Sequence, residues 1–208
     1  AGMILGWLIG FSFLSNQNHL MLFSMVISVT GMFIIKQFSK QPINLVVEEI
    51  SNTLFGVLYI GLLLSYVILI REDEGGRQLI FMLFLIIWFG DSVAYYIGSF
   101  AGKYPLAPSI SPNKTIEGAL GGLLGSLAGV LLAQYWFYPN ISTLNCIILG
   151  LATGIAGQMG DLCESMIKRS LKVKDSGFLV PGHGGLLDRL DSVLFSAPVF
   201  YYIHLYLT

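Results

Sequence analysis

Between two strongly apolar segments, the 27 residues from Ser165 to Asp191 carry five basic and three acidic side chains, a histidine and four glycines. Polar groups this dense in an apolar chain are costly unless a ligand, a metal or one another satisfies them. Just upstream, Asp161, Ser165, Lys168 and Arg169 stand at i, i+4, i+7 and i+8. That spacing puts them on one helix face. Asp161 follows Gly160 inside an apolar run, so its carboxylate needs a cation, either a metal or a basic side chain such as Lys168 or Arg169. Asp188 and Asp191, at i and i+3, share a helix face where like charges repel and a divalent cation would relieve them. A solvated helix start also accounts for Asp188, since acidic groups favour the N-terminal dipole. It accounts less well for Asp191, one turn deeper.

Taken together, the groups have a charge logic. Carboxylates of Asp161, Asp188 and Asp191 would hold a hard cation, and that cation with Lys168, Arg169, Lys174 and Arg189 would hold phosphate. The chemistry indicated is phosphoryl or nucleotidyl transfer. The run Pro181-Gly182-His183-Gly184-Gly185 bends easily and could bring backbone N–H groups to an anion, or form a plain tight turn. His183 reads as structural or substrate-contacting ahead of catalytic. Asp175 is expected to orient a neighbouring cation or cap a turn. A second cluster joins Asp91, in mid-segment and so expected to face a polar cavity, to Ser111, Asn113, Lys114, Thr115 and Glu117. The latter group resembles a helix entry, with Ser111 and Asn113 as natural capping residues and Lys114 as a phosphate contact.

These side chains need elements to hold them in place. The chain is 55% hydrophobic and 11% charged over 208 residues, with a mean hydropathy of +0.75. Soluble domains carry about 25% charged residues, so a soluble globular class is excluded. Seven apolar stretches, near 1–14, 20–35, 50–70, 79–100, 119–138, 144–164 and 190–207, are read as membrane helices, the first of them short. The expected architecture is an all-α polytopic bundle. The two cysteines, Cys146 and Cys163, sit in apolar stretches and imply no disulfide framework. Connections near 36–49, 101–118 and 165–189 carry nine lysines and arginines against two, Arg71 and Arg77, on the opposite side, which puts the first set in the cytoplasm. Gly121-Gly125-Gly129 and Gly150-Gly154 form small-residue ridges for close helix packing.

The residues Ser165, Ile167-Lys168-Arg169, Lys174-Asp175, Gly177, Pro181, His183-Gly184-Gly185-Leu186 and Asp188-Arg189-Leu190-Asp191 resemble, without a gap, the recurring pattern of the phosphatidate cytidylyltransferase (CDP-diacylglycerol synthase) family. Val180 is a conservative departure, where Leu, Ile or Phe is usual. The blocks Gly90-Asp91-Ser92-Val93-Ala94-Tyr95 and Ser111-Pro112-Asn113-Lys114-Thr115-Ile116-Glu117-Gly118 resemble the family as well. The likeness is firm over residues 85–208, a catalytic membrane part. It is generic over 1–84, where the chain looks N-terminally shortened.

The resemblance implies the reaction of CTP with phosphatidic acid to give CDP-diacylglycerol and pyrophosphate. It implies a required divalent metal, and the spacing of Asp161, Asp188 and Asp191 on two helix ends makes them the expected Mg²⁺ ligands, with room for a second cation. It also implies a homodimer in the inner (plasma) membrane, with the site facing the cytoplasm and no nucleic-acid partner. Catalytic roles fall to Asp161, Lys168, Arg169, Asp188, Arg189 and Asp191. Substrate binding falls to Asp91, Ser111, Asn113, Lys114, Thr115, Glu117, Ser165, Lys174, Asp175 and His183. Rival readings are a membrane enzyme acting on an ether lipid or a polyprenol, and an ion-coupled carrier using intramembrane Asp91 and Asp161.

Overall fold

The computed structural model describes residues 2–15, 18–39, 42–177 and 185–207. The helices are α1 (Gly2–Leu14), α2 (Asn18–Gln37), α3 (Val46–Gly56), α4 (Leu63–Glu72), α5 (Gly76–Ala101), α6 (Ile116–Trp136), α7 (Thr143–Ser170) and α8 (Leu187–Leu207). A 3₁₀ turn at Ile43–Leu45 leads into α3, and a π-helical stretch, Val57–Leu62, joins α3 to α4. The run from Ile43 to Glu72 is therefore one continuous helical span of 30 residues. Among the described residues, six helical spans are long and apolar enough to cross a membrane. At 1.5 Å per residue, the 13 residues of α1 reach about 20 Å, short of a bilayer core of about 30 Å. Large apolar side chains such as Phe33, Phe81, Leu120 and Leu124 are exposed along the spans, as lipid-facing surfaces require. The chain is an all-α polytopic membrane protein, and each of the seven expected apolar stretches is a helix.

The chain divides into two compact units, Ala1–Asp73 and Glu74–Thr208. The division comes just before α5 begins, and residues from 85 onward lie in the second unit. In the first unit, Lys36 on α2 pairs with Glu49 on α3, and the Ser12 and Ser24 hydroxyls meet at 3.0 Å between α1 and α2.

In the second unit, α5 and α6 pack most extensively, followed by α7 with α8 and α6 with α7. Small residues explain why. Gly118, Gly121, Gly122, Gly125 and Gly129 are all buried along α6. A Cβ on Gly129 would stand 2.6 Å from the Leu85 carbonyl oxygen of α5, so only glycine allows that approach. Ser126 donates to the Ile86 carbonyl at 3.1 Å across the same seam. Beyond the two ridges read from the sequence, Gly157 and Gly160 bring α7 against α8: a Cβ on Gly160 would lie 2.5 Å from the Asp191 carbonyl oxygen. That approach sets Asp161, the next residue, beside the start of α8.

The segment between α5 and α6, read from sequence as a capped loop, is an antiparallel hairpin of β1 (Pro105–Ala107) and β2 (Ser111–Thr115). Glu117 closes it, accepting from the backbone N–H groups of Lys103 at 3.1 Å and Tyr104 at 3.3 Å. The residue that caps α6 is Thr115, whose Oγ1 accepts from the Gly118 N–H at 3.1 Å; Ser111 and Asn113 lie within the strand. α7 runs to Ser170, six residues past its expected end, so Ser165, Lys168 and Arg169 are helical. At its other end Ser142 caps α7, its hydroxyl accepting from the Asn145 N–H at 3.2 Å. Ser142→Ala is expected to cost about 1 kcal/mol, read as a lower apparent Tm in detergent with activity retained.

Candidate active site

One cavity of about 660 Å³ gathers side chains from α5, the hairpin, α6, α7 and α8. Asp91 and Tyr95 come from α5, Ser111, Asn113 and Lys114 from β2, Gln158 and Asp161 from α7, and Asp188, Asp191 and Ser192 from α8. Thr115 also lines it, from the end of the hairpin. A larger cavity, about 850 Å³, lies within the first unit, and among the described residues no charged side chain lines it. The chemistry-bearing groups are therefore in the second unit.

Lys114 Nζ stands 2.5 Å from Asp161 Oδ2, with the Lys114 side chain about a quarter and the Asp161 side chain a third exposed. The sequence offered Lys168 or Arg169 as the partner of Asp161. The hairpin supplies it instead, because β2 carries Lys114 over the cavity. Asp91, Asp161 and Asp191 are close enough to repel one another electrostatically, and Lys114 is the cation that opposes them. No hydrogen bond to Asp91 is found among the described residues.

Lys168 looks the other way. Its Nζ lies 2.5 Å from Glu164 Oε2, four residues earlier, and 2.7 Å from Asp188 Oδ1. Asp188 Oδ2 accepts from the Ser176 N–H at 2.9 Å, the Ser176 hydroxyl at 2.8 Å and the Gly185 N–H at 2.6 Å. Asp188 thus ties α7, the segment after it and the start of α8 together while still lining the cavity. Arg169 is exposed and donates from Nε to the Ile110 carbonyl at 3.3 Å, steadying the hairpin turn.

The expected site residues therefore divide. Asp91, Ser111, Asn113, Lys114, Thr115, Asp161, Asp188 and Asp191 share the cavity. Lys174, Asp175 and Arg189 are exposed outside its lining, and Ser165 is half-buried on α7. Glu117, expected to bind substrate, closes the hairpin. His183 lies outside the described residues. Sequence reasoning missed Tyr95, Gln158, Ser192 and Glu164. Tyr95 follows Asp91 at i+4, and Gln158 precedes Asp161 at i−3, so helical spacing from a known aspartate was the available signal. Gln158 also donates to the Ala119 carbonyl at 2.9 Å, bracing α7 against α6.

Comparison with known proteins decides the kinship. A family model described as "Cytidylyltransferase family" matches residues 1–207. The chain belongs to the cytidylyltransferase family. Among curated relatives, the phosphatidate cytidylyltransferase of Bacillus subtilis (strain 168) is 36% identical over 90% of this chain and 68% of its own length. That of Staphylococcus haemolyticus (strain JCSC1435) is 42% identical over 70% of this chain and 55% of its own length. That of Synechocystis sp. is 39% identical over 84% of this chain and 68% of its own length. As a cytidylyltransferase-family member, this chain is a multi-pass membrane enzyme whose polar cavity lies within a helical bundle.

For metal binding the cavity offers oxygen donors alone among its charged ligand types, the donor chemistry that Mg²⁺ prefers. Among the described residues, no three acidic, histidine or cysteine side chains are drawn together into a finished ligand shell.

Proposed function

We propose that this cavity catalyses the reaction of CTP with phosphatidic acid, giving CDP-diacylglycerol and pyrophosphate. The observation that carries the reading is the meeting of four aspartates and Lys114 in one cavity inside a membrane bundle. The names of the relatives, phosphatidate cytidylyltransferases, support it. A phosphate oxygen of the lipid attacks the α-phosphorus of CTP, the bond from that phosphorus to the bridging oxygen of the β-phosphate breaks, and pyrophosphate leaves with the electron pair. The attacking oxygen is already anionic near neutral pH, so the protein's task is positioning and charge stabilisation.

Asp161, Asp188 and Asp191 would hold Mg²⁺, with Asp91 facing them and a second cation allowed by the excess negative charge. A bound ion would supply positive charge to offset that of the phosphates. Lys114 would leave Asp161 for a phosphate oxygen as substrate enters. Arg169, Lys174 and Arg189 would draw the triphosphate toward the cavity mouth while Lys168 holds Asp188, with Ser111 and Asn113 as neutral contacts. The lysine- and arginine-rich connections support a reading in which this end of the bundle faces the cytoplasmic side of the inner membrane, where CTP is found. Assembly as a homodimer accompanies the reading.

The test is pyrophosphate release from CTP by the 208-residue chain in mixed micelles, with phosphatidic acid, a polyprenol phosphate, an ether-lipid phosphate or no lipid. Release with phosphatidic acid and labelled CDP-diacylglycerol as product are expected. Release with another acceptor alone, or none with any lipid, would overturn the reading.

A further inference from the structure

Glu164 is the outlying observation. Its side chain is 1% exposed in the interior of a membrane bundle. Neither carboxylate oxygen has a hydrogen-bond partner of good geometry. The cation it meets is Lys168 Nζ, at 2.5 Å and one helical turn later on α7. A buried carboxylate held by one ammonium is expensive to keep and costly to break. The pair makes sense if the position of Lys168 matters. Lysine has a flexible four-carbon stem and three rotatable donors, so Asp188 alone would leave it several rotamers. With Glu164 on one side at 2.5 Å and Asp188 on the other at 2.7 Å, the ammonium has one place to be.

Asp188 passes that constraint on. Its Oδ1 is held by Lys168 while its Oδ2 gathers Ser176 N, Ser176 Oγ and Gly185 N. The charged group beside this clasp is Asp191, which in turn faces Asp161, Asp91 and Lys114 in the cavity.

We propose that Glu164 is a positioning residue that holds Lys168 on Asp188, and through Asp188, which lines the cavity, fixes Ser176 and Gly185 against the start of α8. The effect on turnover rests on the cytidylyltransferase reading above; the structural effect does not. In Glu164→Gln the shape of the side chain is kept and the charge is lost. Hydrogen exchange of the detergent-solubilised, metal-free protein is expected to show faster exchange at the Ser176 and Gly185 amides, with the α5–α6 helix amides unchanged.

In the CTP assay, kcat is expected to fall on the order of tenfold to a hundredfold, the range for residues that orient ligands from behind, with KM for CTP held. Glu164→Asp, which keeps the charge, should restore part of the rate. A double-mutant cycle with Lys168→Met separates action through Lys168 from general destabilisation: the double variant should be no slower than Lys168→Met alone. Should Glu164→Gln fail to fold, Glu164→Met with Lys168→Met removes both buried charges together, and the same two amides are read. Unchanged Ser176 and Gly185 protection in a folded variant, or additive losses in the cycle, would overturn the proposal. A wild-type chain inactive with phosphatidic acid would overturn the function alone, because the exchange result stands without turnover.

Discussion

Asp161→Asn is expected to lower CTP incorporation into lipid by about two to three orders of magnitude, the loss seen when one preorganised electrostatic group is removed from a reacting centre, while the protein stays folded. Both halves of that expectation come from the same surroundings. Asp161 stands among Asp91 and Asp191, which repel it, and beside Lys114 at 2.5 Å. Replacing its charge with a neutral amide of the same size relieves repulsion among the carboxylates. Lys114, about a quarter exposed, keeps access to water and does not become a buried orphan. Stability should therefore change little. Activity should not survive, because Asp161 would be both a ligand for the proposed Mg²⁺ and the residue that parks Lys114 over the cavity. The measurement is CDP-diacylglycerol formation across a Mg²⁺ series, alongside apparent Tm in the same detergent. Wild-type turnover at any Mg²⁺ concentration would remove Asp161 from the mechanism. A collapsed Tm with the lost activity would mean that its role is structural. Lys114→Met is the companion: it should raise KM for CTP and leave the Mg²⁺ optimum where it was.

The cost of burying charge made the aspartates legible. Asp161 and Asp91 stand in apolar runs where a carboxylate has no business without a cation, and that argument needs only local sequence. The helices were legible for the same reason, since about 20 apolar residues in a row leave the backbone few alternatives. What the residues did not reveal depends on distant packing. Nothing near Asp161 says that its partner is Lys114 of the hairpin rather than Lys168 of its own helix. That choice is made by Gly160, which lets α7 lie against α8, and by Glu164 and Asp188, which claim Lys168 first. The hairpin was hidden because Ser111-Pro112-Asn113-Lys114-Thr115 shows no alternation of apolar and polar residues. Pro112 is tolerated because, among the described residues, the sheet has two strands, so both are edges. The end of α7 was misplaced because charge ended the apolar run at residue 164. A helix leaving the membrane goes on as long as pairs such as Glu164 and Lys168 at i and i+4 support it.

Gly125→Val is expected to destabilise the second unit by about 3 kcal/mol or more, at the upper end of overpacking costs, and to abolish activity from a position that touches no substrate. A Cβ on Gly125 would press on the Phe89 carbonyl oxygen and lie 2.9 Å from both the Phe89 carbonyl carbon and Val93 Cβ. Two of those three atoms are backbone of α5, which cannot rotate out of the way as a side-chain tip can. The helices must then part. α5 carries Asp91 and Tyr95 into the cavity, and α6 is entered through the hairpin that carries Lys114. A separation of even an ångström along this seam moves Asp91 away from Asp161 and Lys114, and displacement on that scale is enough to cost about a hundredfold in rate. The Ser126 hydroxyl would also lose the Ile86 carbonyl it reaches at 3.1 Å, leaving a polar group unpaired in an apolar seam. Gly31→Ala on α2 is the control, since nothing lies within 4 Å of the added methyl group. It should be neutral or slightly stabilising, because alanine is the better helix former. Apparent Tm and CTP turnover measured on both variants decide the matter: a Gly125→Val protein that melts and turns over like the wild type would mean that α5 and α6 are not held by this seam.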